Sequence, residues 1–245
     1  MTSSQVGQPI LAAAGFQPAQ ADLYLQAIIN RHRLDSDRHP TISLQSWRFH
    51  KHVESITLSG SRAKLTALPG ADTDLFLTLG PGPPLPTIQS SLADHFHGQI
   101  RNVAVRITHA GETIDLVPSR ANTLWQSRHN TLLKTNVKEQ IHYVRESGLL
   151  NEIRLLKLWR RRNALKFPSF ALELAVIKSL SPAESISSSF LKLLEYLSTH
   201  FPTASLKDPA NQANIVSDTL TPLEKHRIAQ SAATSLSAKS WPEIL

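Results

Sequence analysis

The sequence contains no cysteine, which excludes a disulfide framework and a thiolate zinc site and suits a reducing compartment. No stretch approaches the ~18 consecutive apolar residues of a membrane-spanning helix. Met1 to Pro9 lacks the basic start and apolar core of a secretory leader. A soluble cytoplasmic protein with no membrane partner is therefore expected. The 11 histidines show no clustered ligand spacing, and His50 and His52 pair only at the start of a strand, so zinc is not expected. No internal repeat is visible. What is present is 245 residues of which 41% are apolar, enough for one large core or two smaller ones. With 26 Lys plus Arg against 19 Asp plus Glu, the formal charge is +7. A field of that sign attracts phosphates, nucleic acid or anionic surfaces without choosing among them.

The apolar pattern changes character along the chain. From about Gln20 to Arg31, Leu23, Leu25, Ile28 and Ile29 stand among polar neighbours at helical spacing, and Leu44 and Trp47 suggest a short second helix. From Val53 the period drops to two. Ile56 and Leu58 alternate with polar residues, followed by Leu75, Leu77 and Leu79, then Val103, Val105 and Ile107, then Ile114 and Leu116, so four strands of a mixed sheet are expected. Gly80 to Pro86 (GPGPPLP) reads as a loop, with a helix over Ser90 to Gly98. From Lys134 onward the period is helical, over Asn151 to Asn163, Phe170 to Leu180 and Phe190 to Leu197. A polar break spans Ser181 to Ser189, and the last helix-compatible stretch is Thr221 to Lys239. The expectation is an α/β (α+β) chain with a helical lead-in and α/β domain over 1–130 and a helical domain over 131–245.

The chemistry concentrates in the first half. Gly60-Ser61 ends one strand, and Asp72-Thr73-Asp74 opens the next. Strand alternation puts Asp72 and Asp74 on one face, with Thr73, Leu75 and Leu77 on the other. Two adjacent carboxylates repel unless a cation neutralises them, and Mg²⁺ takes carboxylate, water and phosphate oxygens together. Asp115, in Ile114-Asp115-Leu116, is the only charge in an apolar strand core, where an unpaired acid is costly. Three acids can hold two metal ions about 4 Å apart, one activating a hydroxyl and one steadying a leaving pyrophosphate. Each piece also has an ordinary explanation. A DxD is common on surface turns, Gly-Ser makes tight turns, and Asp115 fits equally a carboxylate capped by backbone donors or paired with an arginine. The ordered combination is more specific than any member.

With those residues in place, SGSRAKLTALPGADTDLFLTL resembles the signature of DNA polymerase beta-type nucleotidyltransferases, and IDLVPS resembles the strand bearing their third aspartate. NEIRLLKLWRRR, FPSFALELAVIKSL, KDPANQANIV and AATSLSAKSWPEIL are similar to the helical half of the CD-NTase and oligoadenylate synthase branch. The resemblance runs from about Leu44 to the C-terminus. It implies a nucleotidyltransferase sheet packed on a helical domain with the active site in the cleft. Asp72, Asp74 and Asp115 would be catalytic and would bind Mg²⁺ (or Mn²⁺), and Gly60 and Ser61 would hold the phosphates of an NTP. Lys157 and Ser169 match residues implied to touch the triphosphate. One departure stands out: the family usually has glycine before the threonine of its GSxxxGT loop, and Leu65 precedes Thr66 here, which is expected to reshape that loop.

The residues of the second half admit a plainer reading. Arg154, Lys157 and Arg161 fall on one helical stripe opposite Leu155, Leu156 and Trp159, as a solvated basic face would. Glu173, among Phe170, Leu172 and Leu174, is expected to pair with an arginine. Trp47, Trp125, Trp159 and Trp241 are expected in the core. By resemblance the function is synthesis of a cyclic or linear oligonucleotide messenger from NTPs, of the kind associated with antiviral signalling, with an activating protein or nucleic acid as a possible partner. A CCA-adding-type RNA nucleotidyltransferase is the alternative, since those enzymes share the metal site; they usually carry a further RNA-binding portion, whereas this sequence stops at Leu245. A silent nucleotide-binding module is the third reading.

Overall fold

The computed structural model describes residues 18–34, 40–182 and 184–245. The N-terminal leader reading lies outside them. The chain divides into two compact units, one of Leu34–Tyr143 with Pro209–Asn211, the other of the chain up to Arg33 with Val144–Asp208 and Gln212–Leu245.

In the first unit period-two patterning yields strands β1 (Val53–Ser59), β2 (Thr73–Leu79), β3 (Gln99–Ile100), β4 (Val105–His109), β5 (Glu112–Arg120), β6 (Thr123–Gln126) and β7 (Thr131–Lys134). They form a seven-stranded sheet of order β1-β2-β5-β4-β3, with β6 joining β5 to β7. β2 and β5 run parallel, and the other pairs are antiparallel, so the sheet is mixed, as expected. The four strands read from the sequence are present. β3, β6 and β7 were not read, because they are two to four residues long and carry too few alternations to register.

The helix Leu85–Phe96 lays Leu85, Ile88 and Leu92 on Leu75, Leu77, Val105, Ile107, Ile114 and Leu116 of the sheet. It starts inside the stretch read as a loop. Pro86 sits in its first turn, where a missing N–H costs nothing, so the proline run ends in a helix instead of preventing one. The Leu44–Trp47 segment is irregular, not helical. Trp47 is nevertheless buried, and its indole N–H donates to the Ser91 hydroxyl at 3.0 Å.

In the second unit, Leu150–Arg162, Ser169–Ser179, Ile186–Thr199 and Pro222–Leu236 are helices whose apolar faces meet in one core that includes Leu155, Trp159, Val176, Phe190, Leu194 and Ile228. Helix Pro18–Arg31, expected with the α/β domain, buries Ala21, Leu25 and Ile29 in this core instead. The division itself falls in helix Val137–Arg145, later than residue 130. The polar break is shorter than its composition suggested: the Ser185 side chain accepts from the Ser188 N–H and starts a helix among the serines. A two-stranded hairpin, β8 (Lys207–Asp208) with β9 (Asn211–Ile215), interrupts the helices. Among the described residues no helix is long and apolar enough to cross a membrane.

Candidate active site

The acids meet through strand register. Asp74 on β2 is the lateral neighbour of Asp115 on β5 across the parallel pair, and of Ser59 on β1 across the antiparallel one. Neighbours in register on one face stand close enough for their side chains to interact. Asp72 lies just before β2 and shares the face of Asp74 by alternation. The approach of Gly60 to this face is tight: a Cβ there would lie 1.8 Å from Asp74 Oδ2, and its φ is +60°. Both facts require glycine at the end of β1. Gly60–Ala63 then makes a single helical turn, which leads through Lys64 and Leu65 to Thr66.

Leu65 also has a positive φ, +59°. The backbone there adopts a left-handed conformation that glycine takes freely, and Leu65 carries it at a steric cost of roughly 1–2 kcal/mol.

Arg106 completes the group. Its position on β4 is in register with Asp115, and the guanidinium donates through Nε to Asp115 Oδ1 at 2.8 Å and through Nη2 to Oδ2 at 2.7 Å. The same Nη2 also donates to Asp72 Oδ2. Asp115 is thus the arginine-paired carboxylate that the sequence allowed as one alternative. Among the described residues Asp74 makes no such pair. Burial, followed by the charges of Asp115 and Asp72, pushes its carboxyl up to about 6, against the opposing pull of Lys64 and Arg106. The site is a cluster of three acids in which one cation serves two and the third, half-buried and flanked by both, holds its proton more tightly than an ordinary aspartate.

Arg106 and Lys64 were missed in the sequence, but a signal for Arg106 exists. Ala110 and Gly111, at φ +50° and +79°, form a two-residue hairpin turn between β4 and β5, and such a turn fixes register. Counting outward from it pairs His109 with Glu112 and Arg106 with Asp115.

Hard oxygen donors of this kind suit Mg²⁺ or Mn²⁺, and the excess negative charge on Asp74 is what such an ion would relieve. The donor set fits. The rotamers do not yet converge: among the described residues no three acidic or histidine side chains are arranged to hold one ion. Asp72, whose side chain is 38% exposed, is turned onto Arg106. It has the freedom to rotate away.

The remaining candidates lie in the helical unit. Lys157 is buried, and its Nζ donates to Glu173 Oε1 at 2.8 Å, with side chains 4% and 1% exposed. Arg154 is buried as well, so the stripe Arg154–Lys157–Arg161 is not a solvated face; only Arg161 is exposed. Glu173 pairs with this lysine, and its charge also acts on Arg160. Ser169 is exposed and its hydroxyl accepts from Arg160 Nη1 at 3.1 Å.

No protein-family model and no curated protein matches this sequence. Solved structures do. CdnG from Bradyrhizobium diazoefficiens, a CD-NTase in complex with GTP, aligns with a TM-score of 0.68 at 11% identity over 97% of this chain and 92% of its own. E. coli CdnC, from a CdnC:HORMA-deltaN complex, gives 0.65 at 17% identity over 96% and 86%. The Cid1 poly(U) polymerase gives 0.66 at 13% identity over 93% and 97%. These likenesses show the architecture: this chain shares the fold of CdnG, CdnC and the Cid1 poly(U) polymerase.

Proposed function

We propose that this chain is a nucleotidyltransferase in which Asp72, Asp74 and Asp115 hold Mg²⁺ or Mn²⁺ and the Gly60-Ser61 turn receives the phosphates of an NTP. The observation that carries this reading is the lateral register of Asp74 and Asp115 with the Gly60 backbone packed against the Asp74 carboxylate. A glycine whose missing side chain exposes backbone N–H groups beside clustered acids is what a phosphate bridged to the acids by a cation requires. When bound, the ion supplies the positive charge that lets carboxylates and triphosphate lie together.

In the reaction a nucleotide hydroxyl oxygen forms a bond to the α-phosphorus. The bond from that phosphorus to the bridging oxygen breaks, pyrophosphate leaves with the electron pair, and the hydroxyl proton passes to a carboxylate of the site. Arg106 pairs with Asp115 and Asp72 in the metal-free site and would have to yield their oxygens to the ion. Lys157 would have to give up Glu173 before touching a triphosphate, so nucleotide binding in this proposal rests on Gly60 and Ser61.

The acceptor we favour is a second nucleotide, giving a cyclic or linear oligonucleotide messenger; the likeness to CdnG and CdnC supports it, and the CdnC complex with HORMA-deltaN supports a protein partner for this chain. The likeness to Cid1, at a similar TM-score, supports a second reading, addition of nucleotides to an RNA 3′ end. The test is to incubate the chain with each labelled NTP, singly and mixed, with Mg²⁺ or Mn²⁺, with and without an RNA oligonucleotide. Pyrophosphate release and a small phosphatase-resistant product without RNA are expected, and both should vanish in Asp74→Asn and Asp115→Asn. Extension of the RNA with no small product selects the second reading. A wild-type rate in Asp72→Asn/Asp74→Asn at saturating metal refutes the site.

A further inference from the structure

Beside the acids lies a groove of about 420 Å³, within the size range of small-ligand sites. Asp74 and Asp115 are on its wall, and so are Arg101 and Arg128, together with Val103 and Val117. Neither of these two arginines makes an ion pair among the described residues, in contrast to Arg106, whose charge is spent on Asp72 and Asp115.

The backbone under both arginines is fixed. Arg101 N–H donates to Ala104 O at 2.8 Å. Ser127 clamps the two segments together, its N–H donating to Asn102 O at 2.8 Å and its hydroxyl to Arg101 O at 2.8 Å. The Arg128 N–H donates to Asn102 Oδ1 at 3.2 Å. Residues far apart in sequence are thus tied so that two guanidinium groups border one cavity.

The groove therefore presents two opposite demands. Two unpaired guanidiniums attract a phosphate and can grip it through paired donors. Two carboxylates repel a phosphate and accept from a hydroxyl. Val103 and Val117 add apolar lining against which a ring can pack. A ligand that satisfies all three carries a phosphate, a flat or apolar body and a free hydroxyl.

We propose that this groove is the acceptor subsite, that its ligand is a mononucleotide bound by its phosphate at Arg101 and Arg128, and that the nucleotide's sugar hydroxyl is thereby directed at Asp74 and Asp115. The assignment rests on the nucleotidyltransferase reading and specifies which face of the acid cluster receives the attacking substrate. The donor phosphates at Gly60 and Ser61 approach Asp74 from β1, whereas the groove reaches Asp74 and Asp115 from the side of β4 and β3.

The test uses the full chain without divalent metal, so that it does not depend on turnover. The four nucleoside 5′-monophosphates, the corresponding nucleosides, inorganic phosphate and a single-stranded RNA octamer with a free 3′ hydroxyl are each titrated while the arginine Nε–Hε resonances are followed by NMR. Arg101→Lys and Arg128→Lys assign the two signals. At least one monophosphate is expected to move both signals, with affinity at least tenfold above that of its nucleoside and of inorganic phosphate, and Arg101→Ala/Arg128→Ala is expected to weaken it at least tenfold. The proposal fails if no monophosphate moves the two signals, if nucleoside or phosphate alone binds as well, or if the double variant binds unchanged. RNA binding at both arginines at least tenfold tighter than any monophosphate overturns it in favour of an RNA end. A chain that releases pyrophosphate while the groove is unresponsive loses only the subsite; a responsive groove in a chain that never releases pyrophosphate loses only the transferase.

Discussion

Arg106 faces Asp115 directly across the β4–β5 ladder and closes two guanidinium nitrogens onto its carboxylate at 2.8 and 2.7 Å while also reaching Asp72. One arginine thus does for the metal-free site part of what a divalent cation would do. Two consequences can be measured on Arg106→Met. Without metal, the variant leaves Asp115 facing Asp74 uncompensated and is expected to lose about 1.5–3 kcal/mol in urea unfolding, the range of a hydrogen bond to a charged group; the partial exposure of Arg106 puts the value toward the lower end. With the competitor gone, Mn²⁺ affinity measured by electron paramagnetic resonance should rise. Unchanged stability together with unchanged Mn²⁺ affinity would reduce the pair to a solvent-screened contact.

Asp74 makes stability depend on pH in an uncommon direction. Its carboxyl is pushed from the ordinary 3.8 up to about 6, chiefly by burial and then by Asp115 and Asp72. Between roughly pH 4 and pH 6 the folded chain holds a proton that the unfolded chain has released, so stability falls as pH rises through that window and the loss is complete above it. Asp74→Asn removes the ionisation. In metal-free buffer at pH 8 it should be more stable than the parent by roughly 1–3 kcal/mol, and at pH 4 the advantage should disappear. Equal unfolding midpoints at both pH values would mean that Asp74 ionises like a surface carboxylate.

Lys157 and Glu173 form an ion pair closed off from water. Removing one member takes the close counter-charge from the other in a buried place, so Lys157→Met and Glu173→Leu should each cost up to about 3–5 kcal/mol, and the double substitution should recover part of it. The double variant separates support from binding. Its affinity for a non-hydrolysable NTP, measured by calorimetry, is expected to match the parent; a drop of tenfold or more would restore Lys157 as a triphosphate ligand.

The elements that carried long patterns were legible in the sequence. Alternation located β2 and β5 and put Asp72 and Asp74 on one face, and the helical period found the cores of the helices around Trp159, Val176 and Phe190. What was not legible depended on contacts distant in sequence. Lys157 looks like one of three surface cations on a helical wheel, and only the neighbouring helix carrying Glu173 buries it. Helix Pro18–Arg31 has an apolar stripe that says it packs, but not against what. Arg106 lay between: its partner follows from the hairpin turn at Ala110-Gly111, but Ala110 is not a residue that announces a positive φ.

Leu65 offers a test of the phosphate loop itself. Its φ of +59° is a conformation that glycine adopts freely and a leucine adopts at roughly 1–2 kcal/mol. Leu65→Gly relieves that strain, but gives up a half-buried side chain and gains freedom in the unfolded chain. The opposing effects leave a change in stability within about 1 kcal/mol of zero, since glycine's entropic disadvantage is itself roughly 0.5–1 kcal/mol. Leu65→Val tells more. A β-branched side chain at positive φ is a severe outlier, so this substitution should cost at least about 1 kcal/mol more than Leu65→Gly, although valine keeps most of the apolar surface. If Leu65→Val were the more stable of the two in thermal unfolding, packing would outweigh backbone strain, and the loop conformation would be held by the leucine side chain instead of in spite of it.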